Sequence, residues 1–230
     1  MKIAYAGLDL AEGKIKYDDD VFIRLAEKFQ PKKLSPYYFE FIPEGYEAAQ
    51  AIVIASDHLL NLLILDIEKI ETRLARTEDA AERAVLAKCM AHLETQKPIC
   101  DAPLDERERT IVNALGLLSF KPTVLWTGTV RDVNAMCREV MDKAGMMFFY
   151  TAGKEEVHAW LVKKGSDAVT CAGRIHSDLA RGFIKAEVVS FDDIMTAHNM
   201  QDARAKRLTK LVDRDYIIPR ASILEIRFNV

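Results

Sequence analysis

Long apolar runs are missing from this sequence. The longest, residues 59–67, already contains Asn61 and Asp66, whereas a bilayer span needs about 20 mostly apolar residues. No membrane-spanning helix is expected. The opening MKIAYAGLDLAEGK turns acidic before an apolar core could develop, so no signal peptide is expected either. Cysteine is scarce: Cys89, Cys100, Cys137 and Cys171 are the four present, and no two form a CxxC pair. Such wide spacing points to reduced, structural thiols and a cytoplasmic protein. The five histidines are dispersed with neither HxxxH nor HxC spacing, so no metal and no cofactor are expected. Charge of one sign is not in excess. A net charge of −3 gives no whole-protein attraction to nucleic acid or to an anionic membrane, and binding of that kind needs a local patch. Internal repeats and low-complexity linkers are absent as well.

What is present is a globular balance, half hydrophobic and 29% charged over 230 residues, enough for one large or two small domains with real cores. The run KIAYAGL reads as a strand stopped by Gly7. Residues 21–29 read as a short helix closed by Pro31, residues 37–42 as a strand ended by Pro43-Glu44-Gly45, and residues 51–55 as a buried strand. From residue 59 to about 94 there is no Pro or Gly, and Leu63, Ile67, Ile70 and Leu74 recur at helical spacing. Two antiparallel helices over about 57–96, with a polar tip near residues 76–80, fit this pattern. Asp105 and Glu108 make a capping box for a helix that Gly116 stops. Residues 123–126 read as a strand and residues 131–144 as an amphipathic helix. From residue 147 the texture changes to short strands: FFYT, VHAWLV, GFIKAEVVS, YIIP and ILEIRFNV, with a short helix capped by Ser190 and Asp193. Two domains follow, 1–146 (α/β) and 147–230 (α+β).

The runs TAGKEEVHAWLVKKG, AGRIHSDLARGFIKAEVVSFDDI and DYIIPRASILEIRFNV resemble the end of the YchF family of Obg-like ATPases. There they form a TGS-type, ubiquitin-like β-grasp domain. DIEKIETRLAR resembles the helical hairpin inserted into that family's G domain, and LETQKPICDAPLDERERTIVNALGLLSFKPTVLW the segment leading to its base-reading strand. RLAEKFQPKKLSPYYFEFI resembles the stretch before its second phosphate-site motif. The resemblance implies a truncated P-loop-GTPase-like α/β domain with a helical hairpin, followed by the β-grasp domain.

Gaps fall where the chemistry should be. A phosphate loop GxxxxGK followed by Ser or Thr needs glycines that free backbone amides for the phosphates, a lysine, and a hydroxyl for Mg²⁺. Here Gly7, Gly13 and Lys14 come close, but the second glycine is one residue late, Asp9 and Glu12 lie in the anion nest, and Ile15 replaces the hydroxyl. In a second, better register Gly13 to Tyr17 is a later family strand, and the loop, its helix and switch I are missing. The family's D-x-x-G should follow FEFI, where Pro43-Glu44-Gly45 leads almost directly into AIVIAS. Its Asn-x-x-Glu base reader should follow KPTVLW, where Gly128 and Arg131 stand. The expectation is a relative that is no enzyme and has lost hydrolysis and nucleotide binding.

Other chemistry is thin. His176-Ser177-Asp178 is triad-like in name only, because triad residues converge in space rather than in sequence; His176 reads as a turn or interface residue. Trp126 and Trp160 lie on strands and read as core. The charges of residues 73–83 read as a solvated helical face. Residues 147–230 hold 13 Lys+Arg against 11 Asp+Glu, a net of +2, leaving 19 against 24, a net of −5, for the rest. The resemblance implies translation-related partners, so the C-terminal domain is expected to meet RNA or the ribosome through Lys163, Arg174, His176, Arg181 and Lys185. A protein-interaction scaffold without RNA affinity, as a homodimer or with another protein, and residual ATP or GTP binding without hydrolysis are the rival readings.

Overall fold

The computed structural model describes residues 1–229. In chain order the elements are β1 (Lys2–Ala6), β2 (Gly13–Lys16), α1 (Asp20–Phe29), β3 (Lys33–Ser35), β4 (Tyr38–Pro43), β5 (Ala51–Ala55), α2 (Leu59–Leu74), α3 (Ala80–Glu94), α4 (Glu106–Leu115), β6 (Thr123–Trp126) and α5 (Val133–Lys143). Then follow β7 (Met146–Ala152), β8 (Glu156–Lys163), α6 (Ala168–Ile175), α7 (Ser177–Arg181), β9 (Phe183–Ser190), α8 (Phe191–Thr196), α9 (Met200–Ala205), β10 (Lys210–Val212) and β11 (Ser222–Phe228). They sort into two compact units, each built from two stretches of chain. One is Met1–Ile15 with Phe39–Ala144; the other is Lys16–Tyr38 with the residues from Gly145 on. The single cut expected at 146/147 therefore differs from the observed division. Residues 16–38 join the second unit because β3 hydrogen-bonds to β8, Lys33 opposite Glu156 and Ser35 opposite His158.

The first unit holds a sheet in the order β2-β4-β1-β5-β6, with β1 parallel to β4 and β5, and β5 parallel to β6. All five residues of β5 are buried, as a strand covered on both faces requires. Ala4, Ala6, Ile52 and Ile54 share one core with Leu62, Leu63, Ile70, Leu86, Cys89 and Leu93 of the α2–α3 hairpin. Asp66 is fully buried on α2, yet satisfied: its two carboxylate oxygens accept from Leu118 N at 2.6 Å and Ser119 N at 2.8 Å. It thereby pins the turn before β6 to the hairpin. The capping box on α4 forms as read, with Glu108 N to Asp105 at 2.8 Å and Asp105 N to Glu108 at 2.8 Å, and Gly116 closes the helix in the left-handed region at φ 60°.

The second unit's sheet runs β10-β9-β11-β7-β8-β3. β7 and β8 form an antiparallel hairpin, β11 lies parallel to β7 at the centre, and β9 and β10 follow antiparallel. That is the β-grasp arrangement. Ala168, Cys171 and Ala172 of α6 pack on Phe149, Val162, Ala186 and Leu224. On the opposite face Phe148 stacks on Tyr17 at 5.7 Å between centroids and meets Tyr37 edge-on at 5.2 Å.

YIIP is not a strand. Residues 215–219 make a return that forms one isolated bridge outside the strands, Ile217 with Asp167. The carbonyls of Tyr216 and Arg214 accept instead from Ala168 N and Val169 N, so this backbone serves the first turn of α6. The edge strand lies earlier, at β10. The closing strand expected over ILEIRFNV spans Ser222–Phe228; Val230 lies outside the described residues. Helices α6, α7 and α9 span eight, five and six residues, too few for a periodic pattern to announce them, and each starts at a side-chain cap, for α6 Asp167 accepting from Thr170 N at 2.8 Å. Among the described residues no helix is long and apolar enough to cross a membrane.

Candidate functional site

Two groups of residues bear on function, and the first is the turn after β1. Gly7 stands at φ +70°, and a Cβ there would lie 2.6 Å from His58 Cγ and 2.8 Å from Ala55 Cβ. Packing against His58 accounts for this glycine. The turn is drawn in by Tyr5, whose hydroxyl donates to Leu10 O at 2.9 Å. Gly13 stands at φ +110° with open space around its α-carbon. It begins β2, which carries Lys14 exposed on the outer strand of the sheet. A phosphate loop works by aiming the free amides of a helix N-terminus at its ligand. Here the strand β2 follows the turn. After β4 the chain turns at Glu44, whose N–H donates to Tyr5 O at 2.9 Å, and reaches β5 within seven residues.

The second group is the basic rim of the second unit, which the structure does not assemble on one face. Val162 and Ala186 face the α6 core, so by alternation Lys163 and Lys185 lie on the opposite face, whereas Arg174 belongs to α6 and Arg181 ends α7. In strand order β8 and β9 are three spacings apart, about 14 Å.

Four of the five residues have local work. Arg174 Nε donates to Leu161 O at 3.0 Å, where β8 runs on past the end of β3 and its edge would otherwise be open. The same guanidinium bonds to Tyr37, whose phenol is nonetheless pushed above its ordinary range by burial. His176 Nδ1 accepts from Asp178 N at 3.2 Å and so caps α7. Arg181 pairs with Asp178 at 2.9 Å, and Lys185 pairs with Asp213. Lys163 is exposed.

One charge in the second unit with several hydrogen bonds is missing from the residues singled out in the sequence. Glu187 on β9 is 2% exposed. It accepts from Arg204 Nε at 2.7 Å and from a second nitrogen of that guanidinium, from Thr209 Oγ1 at 2.8 Å and from Arg227 at 3.2 Å. The Arg204 hydrogen bonds hold its carboxyl at about 2, against an opposing effect of burial. A glutamate within the apolar run AEVVS gives one signal of such a partner: a buried carboxylate must be paired.

The YchF-GTPase_C family, described as a protein of unknown function (DUF933), matches residues 146–229. The Ribosome-binding ATPase YchF of Bacillus subtilis is 22% identical over 334 residues, taking in 98% of this chain and 91% of that protein. Its Mycoplasma genitalium namesake is 38% identical over 135 residues, 59% of this chain and 34% of that one. The Schizosaccharomyces pombe YchF GTPase structure superposes with a TM-score of 0.77 at 19% identity, covering 96% of this chain and 89% of that chain; at that identity the likeness is one of fold. The 334 aligned positions exceed the 230 residues here by 104, so at least that many residues of the Bacillus protein have no counterpart.

The relatives' names carry ATPase and GTPase, and on that ground the expectation of a chain that is no enzyme is corrected. That expectation was drawn from loops, and loops are where members of one fold differ most. The C-terminal match fills the β-grasp sheet from β7 to β11: residues 146–229 belong to the YchF-GTPase_C family, and the rest of the chain shares the fold of the YchF GTPase structure.

Proposed function

We propose that this protein is a cytoplasmic, ribosome-associated member of the YchF family that makes its contact through the second unit, a β-grasp domain of the TGS type. One observation carries the reading. Residues 146–229, the family's C-terminal region, are present without interruption, while over a hundred positions of a relative named ribosome-binding are missing from the chain. Retention of one region amid such loss supports that region as the working part.

The test is sedimentation of the full chain with purified Bacillus subtilis ribosomes through a sucrose gradient, at low and moderate salt. Co-migration with a ribosomal peak is expected. A chain that stays at the top of the gradient in low salt would refute the reading and favour a scaffold acting on some other protein.

A second reading concerns where nucleotide sits. The turn at residues 7–12 leads into a strand and offers no helix N-terminus to phosphates, so nucleotide is not held there. Titration calorimetry with Mg²⁺-ATP or Mg²⁺-GTP is expected to show no affinity that depends on Lys14. Micromolar binding abolished by Lys14→Ala would restore the turn as a phosphate site.

A further inference from the structure

Residues 204–214 hold five of the thirteen Lys and Arg found after residue 146, Arg204, Lys206, Arg207, Lys210 and Arg214, against one carboxylate, Asp213. We propose that the passage from α9 into β10 and on to Tyr216 is an RNA-binding edge, with Arg207, Lys210 and Arg214 against phosphates and Tyr216 against a base; this rests on the ribosome reading above.

Not every cation here is available. Arg204 is committed to Glu187 and lies 3.5 Å from Glu225, and Lys206 pairs with Asp202 at 2.9 Å. Arg207, Lys210 and Arg214, by contrast, have no carboxylate within ion-pair distance among the described residues. Arg207 is exposed at the turn, in the left-handed region at φ 59°. Lys210 holds its ammonium 4.3 Å above the Tyr216 ring. Arg214 gives one nitrogen to Phe183 O at 3.3 Å and keeps its remaining donors. Of the nearby acids Asp213 is neutralised by Lys185, which leaves Asp215 and Asp167, the latter occupied in capping α6, against three cations.

Beside Lys210 the surface is concave and partly apolar. β10 pairs only with β9 and so ends the sheet. A shallow cavity of about 530 Å³ lies beside it, lined by Lys210, Leu211, Tyr216 and Ile217 among others. Leu211 and Ile217 are 51% and 55% exposed. A lysine over an aromatic ring, apolar side chains beside it and two further unpaired arginines nearby in the chain suit a single-stranded nucleic acid, which presents phosphates and stackable bases together. A protein strand added to the open edge is the competing occupant. It is disfavoured by the shortness of β10 and by the lysine on it, both devices that block strand addition.

The experiment measures anisotropy of a fluorescein-labelled 20-nucleotide oligouridylate RNA with the full chain, across a series of salt concentrations. The combined variant Arg207→Gln, Lys210→Gln and Arg214→Gln is expected to bind at least tenfold more weakly at low salt. Its log–log salt slope should flatten by about two, as loss of three phosphate contacts predicts. A control with Lys163→Ala and Arg181→Ala should keep the wild-type affinity. The single variant Arg207→Glu, at an exposed turn, gives the same direction should the triple variant melt early. Wild-type RNA binding left unchanged by both variants would overturn this surface. A chain that sediments with ribosomes yet ignores RNA would overturn the RNA assignment alone and point to a ribosomal protein. One that does neither overturns the ribosome reading with it.

Discussion

The Tyr150 hydroxyl donates a 2.6 Å hydrogen bond to Oδ2 of Asp19, 131 positions away in the sequence. Asp19 also caps α1, its Oδ1 accepting from Val21 N at 3.1 Å. One buried carboxylate thus starts the helix and fastens it to β7.

Burial raises the Asp19 carboxyl above its ordinary 3.8, the Tyr150 hydrogen bond opposing that effect. A carboxyl raised by folding supports the fold fully below its unfolded value, and that support fades as pH rises through the native one. Tyr150→Phe removes a donor that favours the ionised form. The expected loss is about 1–3 kcal/mol at pH 7 and less near pH 4. Asp19→Asn keeps the cap and should abolish that difference. Urea melts at the two pH values check this; a Tyr150→Phe loss independent of pH would disprove the coupling.

Glu187 has the opposite sign. Its carboxyl is held at about 2 against an ordinary 4.5, so its contribution is present above 4.5 and disappears as pH falls toward 2. Glu187→Gln should destabilise the chain by about 1–3 kcal/mol at pH 7 and match the wild type near pH 2. Thermal melts between pH 2 and 6 give the comparison.

Gly7 and His58 should behave as a pair. Gly7→Ala drives a methyl into the imidazole at a backbone angle that disfavours side chains, and about 2–3 kcal/mol of loss is expected. His58→Ala in the same chain should return part of it, because the collision is gone while the strain stays. A double-mutant cycle with no coupling would mean that the contact is not what demands glycine.

A fragment beginning at Met146 lacks α1, Tyr17, Tyr37 and β3. Phe148 and Tyr150 lose their cover, and the β8 edge is left unpaired along residues 156–158. The fragment is expected to melt without cooperativity or to aggregate, and a linked chain restoring residues 16–38 to melt sharply. Calorimetry on the two separates the outcomes.

Local signals were legible. The Asp105 capping box, the Gly116 stop, the α2–α3 hairpin and strands β1, β5 and β6 all stand where propensity and pattern put them. What failed was everything decided by a distant partner. Residues 33–35 make three pairs with a strand 123 residues on, and KLS carries no alternation to announce it. YIIP has the composition of a strand, but its Tyr216 carbonyl is taken by Ala168 N at the start of α6. The basic rim was drawn from charges along the chain, which cannot reveal that Asp178 and Asp213 neutralise two of them or that Leu161 O occupies a third. The cluster at residues 204–214 is legible as a count, but its place at a sheet edge depends on β10, whose three residues carry no pattern of their own.

The placement of β11 has a bearing on how this chain is made. Residues 16–38 emerge early from a translating ribosome, but the strands they cover come only after residue 144. The central strand β11 follows every other strand of that sheet in the chain. The second unit therefore cannot assemble piece by piece behind the exit tunnel. Its early helix must wait exposed while the first unit is synthesised, and the sheet closes in one step once Ser222–Phe228 are free. A chain broken off before Ser222 would have nothing between β9 and β7, and so no second unit at all.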